Sequence, residues 1–176
     1  GTESCGDFQG IAVSNTVFQG GMGMRHGNPG IALYTTDGGK LEDVVISNIV
    51  MRDVGTPLAI LRGNRDRCSV GAPGPLQSIR ISNVIASGAK LPSVIAGLPN
   101  QPVTGITIDG MSVSMGASAA GPRALDTIPE HPTDYPQPTM FGPLPAYGLF
   151  LRHVTGIRLR DIQLQPSPDE QRAAIV

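Results

Sequence analysis

The sequence predicts an all-β fold, a right-handed parallel β-helix in which short strands stack as the turns of a solenoid. Three observations carry that expectation: a strand-and-turn composition, one phrase that recurs five times, and a second set of short apolar runs between the copies. The chain has 176 residues, 40% of them hydrophobic and 15% charged, enough to bury a substantial core in one folded domain. Aromatics make up only 4%, with no tryptophan, against 23 glycines and 16 prolines. That balance favours many short strands and turns over long helices.

The recurring phrase is IAVSNTVF (11–18), VVISNIVM (44–51), IRISNVIA (79–86), ITIDGMSV (106–113) and IRLRDIQL (157–164). Each copy alternates apolar and variable residues, so Ile11 and Val13, Val44 and Ile46, and Ile79 and Ile81 turn to one side of a strand. A small polar pair then interrupts the phase. Its second member is Asn15, Asn48 and Asn83 in three copies. Asparagine tolerates the left-handed backbone region better than most residues, which predicts a sharp bend between two short strands. Stacked copies would bring these amides into hydrogen-bonding distance along the stack, as in amide ladders. Gly110 and Asp161 occupy the same slot in the last two copies and also suit a bend.

The slots fall at positions 15, 48, 83, 110 and 161, spaced by 33, 35, 27 and 51 residues. This is a loose coil repeat with loops of variable length, and rigid leucine-rich or propeller periods fit it badly. The second strand set is GIALYT (30–35), PLAIL (57–61), PSVIAGL (92–98) and YGLFLRH (147–153). Such a coil cannot bury its apolar side alone and is stabilised by its neighbours along the axis. A β-sandwich is the alternative for short alternating strands, but it does not require one phrase to recur at equivalent places. Residues 116–146, dense in proline, glycine and small residues, read as a long loop insertion that caps or walls a groove. The tail from Pro166 to Val176 is polar and then apolar, a broken next coil. Residues 1–176 are thus expected to be a single partial domain, truncated at its N-terminal end where Gly1 runs straight into a repeat.

A formal charge of −1 and a pI near 6.3 provide no general attraction to phosphate backbones, so nucleic acid is excluded as the expected partner. No run approaches the roughly 18 apolar residues of a membrane span, and no signal segment opens the chain. Cys5 and Cys68 match no zinc pattern and can form one disulfide or none, with two free or buried thiols the favoured expectation. His26, His131 and His153 are scattered without a paired context. Neither a metal nor a cofactor is expected.

The phrases GTESCGDFQGIAVSN, GIALYTTDGGKLEDVVISNI, PLAILRGNR, IAGLP and MFGPLPAYGLFLRHVTGIRLRDI, the last preceded by Tyr135-Pro136, resemble the later coils of glycoside hydrolase family 28, the polygalacturonase family. The likeness runs over nearly the whole chain. It implies a right-handed β-helix in a parent enzyme that hydrolyses pectic polysaccharide, galacturonate- or rhamnogalacturonate-type, with inversion. A monomer located outside the cell or in the periplasm is the corresponding expectation. Inversion needs one carboxyl to protonate the leaving oxygen and another to activate water, roughly 6.5–9.5 Å apart. The family supplies them from an Asn-Thr-Asp-type strand and an Asp-Asp pair, and neither occurs in this chain. The resemblance therefore puts the catalytic carboxylates upstream of Gly1, and the fragment alone is expected to be inactive. The family's Arg-Ile-Lys strand corresponds here to Ala32-Leu33-Tyr34, without either cation.

Among the remaining residues, Arg62, Asn64, Arg65 and Arg67 in LRGNRDRC (61–68) are candidates for substrate contact, because arginine can grip a carboxylate in a bidentate fork. The competing reading is a solvated loop with an internal pairing to Asp66. Strict alternation from Leu58 and Ile60 also turns Arg62 inward, so the strand must bend for it to reach solvent. Tyr34 can stack on a sugar ring through its apolar face or pack on the sheet. Glu3 either orients a hydroxyl or anchors the adjacent turn. Arg25 and His26 lie in a glycine-rich loop before the strand of Tyr34, placed for groove contact or simply on the surface. Asp37 before Gly38-Gly39 reads as a turn residue, and His153 as a structural one. Two other functions compete with hydrolysis: a non-catalytic carbohydrate-binding or structural β-helix, and a pectate-lyase-like enzyme. The latter would need calcium held by clustered carboxylates and an arginine base, and no acidic cluster is expected to face the arginine-rich strand.

Overall fold

A computed structural model describes residues 2–20, 28–69, 71–116 and 128–176. Its strands are β1 (Phe8–Gln19), β2 (Pro29–Thr35), β3 (Leu41–Arg52), β4 (Thr56–Arg62), β5 (Leu76–Ala89), β6 (Ser93–Ala96), β7 (Val103–Met115), β8 (Ala146–Arg152), β9 (Val154–Thr155), β10 (Arg158–Gln165) and β11 (Ala173–Ile175). They form two sheets between which the chain alternates. The first has the order β1-β3-β5-β7-β10, with β9 pairing on β7, and the second has the order β11-β8-β6-β4-β2. Every strand ladder is parallel. Among the described residues the antiparallel contact is an isolated bridge between Leu98 and Gln101. The sandwich alternative fails on this point, since its sheets are antiparallel. Among the described residues no helix is long and apolar enough to cross a membrane.

The five copies of the phrase superimpose in register. Val13 pairs with Ile46, Ile46 with Ile81, Ile81 with Ile108 and Leu159 with Ile108, one residue per strand along a single inward row. Two further rows run beside it, Val44, Ile79 and Ile106 in one and Ile49, Val84 and Met111 in the other, all but fully buried. β-branched side chains pack well on such a pleated surface, and each one buried contributes about 1.5–3 kcal/mol. From the second sheet, Ile31, Leu33, Leu58, Ile60, Ile95 and Leu149 point into the same core.

The bend is left-handed in all five copies: φ is 55° at Asn15, 56° at Asn48, 53° at Asn83, 68° at Gly110 and 48° at Asp161. Asn48 Nδ2 donates to Asn15 Oδ1 at 3.0 Å, and Asn83 Nδ2 donates to Asn48 Oδ1 at 3.1 Å. The expected amide ladder is therefore present. It stops at Gly110, which has the backbone for the bend but no amide to continue the series.

Residues 128–144 form less of an excursion than the composition of 116–146 implies. Ile128, Phe141 and Leu144 are buried against Leu61, Val94, Ala96 and Phe150 in a second apolar cluster on the outer side of the second sheet. A short 3-10 helix, Pro138–Phe141, turns Phe141 into that cluster. At the other end of the chain, β11 pairs with β8, so the apolar tail adds a strand to the second sheet. Glu170 and Arg172 brace it: Arg172 Nη2 lies 2.6 Å from Glu170 Oε2, and Arg172 Nη1 donates to Leu144 O at 3.3 Å. That hydrogen-bonded pair holds the Glu170 carboxyl down at about 2.

Candidate functional site

Polar groups gather where β2 and β4 end, next to each other in the second sheet. Tyr34 pairs with Leu61 and Thr35 with Arg62 in the parallel register, so the turn Thr36-Asp37-Gly38-Gly39 lies beside the loop Gly63 to Cys68. The N-terminal segment is tied onto both by a disulfide between Cys5 and Cys68, whose Cα atoms are 5.6 Å apart. This corrects the expectation of two free thiols. The cysteines are 63 residues apart in sequence and meet where both pack against Gly38. Gly38 and Gly39 permit the close approach: a Cβ on Gly39 would fall 1.9 Å from Gly6 O, and one on Gly38 would fall 2.9 Å from Cys68 Cβ.

Asp37 is the centre of this junction. Its side chain is completely buried, Oδ2 accepts the Glu3 backbone amide at 2.5 Å, and Oδ1 lies 3.5 Å from Arg65 Nε. Arg65 in turn approaches Glu3 Oε1 at 3.7 Å, and Arg67 Nη1 forms a tight ion pair with the same oxygen. The ring of Tyr135 lies over the Arg65 guanidinium, 5.3 Å from its carbon to the ring centroid, within range of a cation–π contact. A buried carboxylate is tolerable only when paired and hydrogen-bonded, and the N-terminal segment supplies part of that pairing. Glu3 and Asp37 thus face the arginine-rich strand as a pair, each already engaged with a guanidinium. Among the described residues no group of three or more His, Cys, Asp or Glu could hold a metal ion.

The candidate residues divide into two sets. Glu3, Arg65 and Arg67 come together as described, and Tyr34 joins them through Tyr135: it is half-buried on the outer face, and burial, with Tyr135 nearby, raises its hydroxyl well above the ordinary tyrosine value. Arg62 and Asn64 are instead engaged with backbone. Arg62 Nη1 donates to Pro102 O at 3.1 Å and Nη2 to Pro73 O at 3.0 Å, which resolves the phase conflict by satisfying the guanidinium on the backbone just before β5 and β7. Burial there lowers its pKa. Asn64 Nδ2 donates to Gly71 O at 3.0 Å, and its amide donates to Pro132 O at 2.5 Å. In place of the internal pairing to Asp66 that the competing reading gave this loop, Arg67 pairs with Glu3, while Asp66 Oδ1 accepts the Gly71 amide at 3.0 Å. His26 and Arg25 lie outside the described residues.

Several residues of the site had no signal in the sequence. Asp37 looks like any Asp before a Gly-Gly turn. Glu130 sits in a proline-rich stretch, yet it pairs tightly with Arg152 Nη2 and faces His153 Nε2 at 3.0 Å. Arg152 Nη1 also donates to Ile128 O at 2.6 Å, and His131 Nδ1 lies 2.7 Å from Asp134 Oδ2. These contacts lash residues 128–135 to the ends of β4 and β8. His153 has φ of 50°, an uncommon backbone for a non-glycine residue.

Chemically, the surface at β2 offers two tyrosine rings, an exposed arginine–glutamate pair and the small residue Ala32, a set suited to stacking on a sugar ring and hydrogen-bonding its hydroxyls. An inverting hydrolase aims two carboxyls at each other across the bond to be cut. Here Glu3, Asp37, Glu130 and Asp134 each face a guanidinium or an imidazole instead. Compared with protein-family models, with curated proteins and with solved structures, the chain matches none.

Proposed function

We propose that this chain is the downstream part of a right-handed parallel β-helix of the glycoside hydrolase family 28 type, and that it contributes a substrate-binding wall to an enzyme cleaving pectic polysaccharide. The observation that carries the reading is the open outer surface of β2, where Ala32 and Tyr34 stand beside Tyr135, Arg65, Arg67 and Glu3. It is the strand that the family likeness assigns to substrate. The alternation between two parallel sheets with a stacked asparagine bend supports the solenoid. The carboxylates that cut the chain lie, on this reading, in coils stacked on β1, whose inward residues Phe8 and Val13 remain exposed. The Cys5–Cys68 disulfide supports an oxidising compartment, outside the cell or in the periplasm.

A non-catalytic carbohydrate-binding β-helix is the second reading. It is favoured by the absence of both cations at Ala32 and Tyr34, and by the engagement of Arg62 and Arg65 with groups of the protein itself. Titration calorimetry of the chain with oligogalacturonides and with rhamnogalacturonan fragments tests what both share. Binding that falls about tenfold or more in Tyr34→Ala and Tyr135→Ala is expected. No binding to either saccharide class would overturn both. Release of reducing ends by the parent protein, with none from residues 1–176, separates hydrolysis from simple binding.

A further inference from the structure

Two rows of residues cross the outer face of the second sheet. One runs Ala32, Ala59, Val94 and Phe150, and the other runs Tyr34, Leu61 and Ala96. Their exposure changes abruptly over a single coil. Ala32 is open to solvent and Tyr34 half open, whereas Ala59, Val94 and Phe150 are 0% exposed and Leu61 is 1%. Over Leu61, Val94, Ala96 and Phe150 the cover is the segment 128–144, through Ile128, Phe141 and Leu144.

This cover is a fixed part of the fold. Its near end is held where Pro132 O accepts the Asn64 amide and where Glu130 meets Arg152 and His153. Its far end is held by the hydrogen bond from Arg172 to Leu144 O. Opening it would uncover an apolar surface and break a set of partly buried ion pairs at once, which no small ligand contact offsets. A saccharide lying along the stack axis over β2 therefore meets a wall at the next coil, at the height of Pro132 and Tyr135.

We infer that residues 128–144 are an end wall, and that the surface over β2 accepts the terminus of a pectic chain and not its interior. The last sugar unit would rest on Tyr34 and against Tyr135. This rests on the pectin-binding reading above and assigns to it a chain-end mode. A clash built against one arrangement of a ligand gives selectivity without any added attraction.

End-labelled ligands test it with the chain as it stands. One set of oligogalacturonides carries a bulky fluorophore at the reducing end and a second set carries it at the non-reducing end, and each is titrated against unlabelled oligomer of the same length. One label is expected to weaken binding by about tenfold or more, and the other to leave it within about twofold. On long polygalacturonan the stoichiometry is expected to be one protein per polymer chain. Equal tolerance of both labels, or many copies bound along one polymer, would overturn the end wall while leaving pectin binding intact. No binding of any oligomer would overturn the binding reading and the end wall with it.

Discussion

The outer faces of the two sheets belong to strands between which one chain alternates, and they end in opposite states. On the first sheet, no residue of the row Val17, Val50, Ile85 and Ser112 is buried, and Val17 and Ile85 are 64% and 58% exposed. The asparagine ladder runs beside it along a shallow groove that also includes Gly110 and Asp161. On the second sheet, the rows beyond β2 disappear beneath residues 128–144. The difference shows that a parallel stack requires burial only on its inward side. What the outer side carries depends on which loop is long enough to return over it.

Substitutions on the two faces should break this comparison in a graded way. Phe150→Ala, beneath the cover, removes a large side chain from a closed cluster and is expected to lower unfolding free energy by about 3–5 kcal/mol in a denaturant titration. Glu170→Gln should cost a similar amount, about 3–5 kcal/mol, because it leaves the buried Arg172 guanidinium without its charge partner beside Leu144. The Glu170 carboxyl is depressed in the fold, so its contribution is complete above its ordinary value of 4.5 and is lost as pH falls toward about 2. Melting temperatures of wild type and Glu170→Gln measured over that range are therefore expected to converge at the acid end.

On the open face the expected effects are smaller. Asn48→Ala removes both ladder hydrogen bonds and forces a β-carbon-bearing residue without a polar side chain to hold φ of 56°, a combined loss of about 1–3 kcal/mol. Asn48→Gly keeps the backbone at ease and should recover part of it. Ile85→Thr, on an exposed β position, is expected to change stability by no more than about 0.5 kcal/mol. A large effect at Ile85, measured by the same denaturant titration, would mean that the outer face of the first sheet is covered after all.

The strands of the recurring phrase and their bends were legible in the sequence because they depend on local properties. Period-two alternation places Ile46, Ile81 and Ile108 inward whatever else the chain does, and an asparagine or glycine at the slot relieves the left-handed turn within a single residue. The tail at Ala173 to Ile175 could be read for the same reason. The junction at Asp37 could not. Its burial depends on Glu3 and Arg65 arriving from two other segments, and a buried and a solvated aspartate look alike before a Gly-Gly turn. Neither could the Cys5–Cys68 bond, whose ends come from segments far apart in sequence and meet against Gly38. The cover on the second sheet was legible only as an excursion. Ala59, Leu61, Val94 and Phe150 alternate with inward residues in apolar runs, which fits a strand buried on both faces but does not identify what lies above it. Sequence thus determined the repeating strand, its bend and its inward face, which arise from neighbouring residues. Tertiary structure decided which outward face is closed and which carboxylate is buried, because each depends on contacts between segments whose separation is set by loops of unequal length.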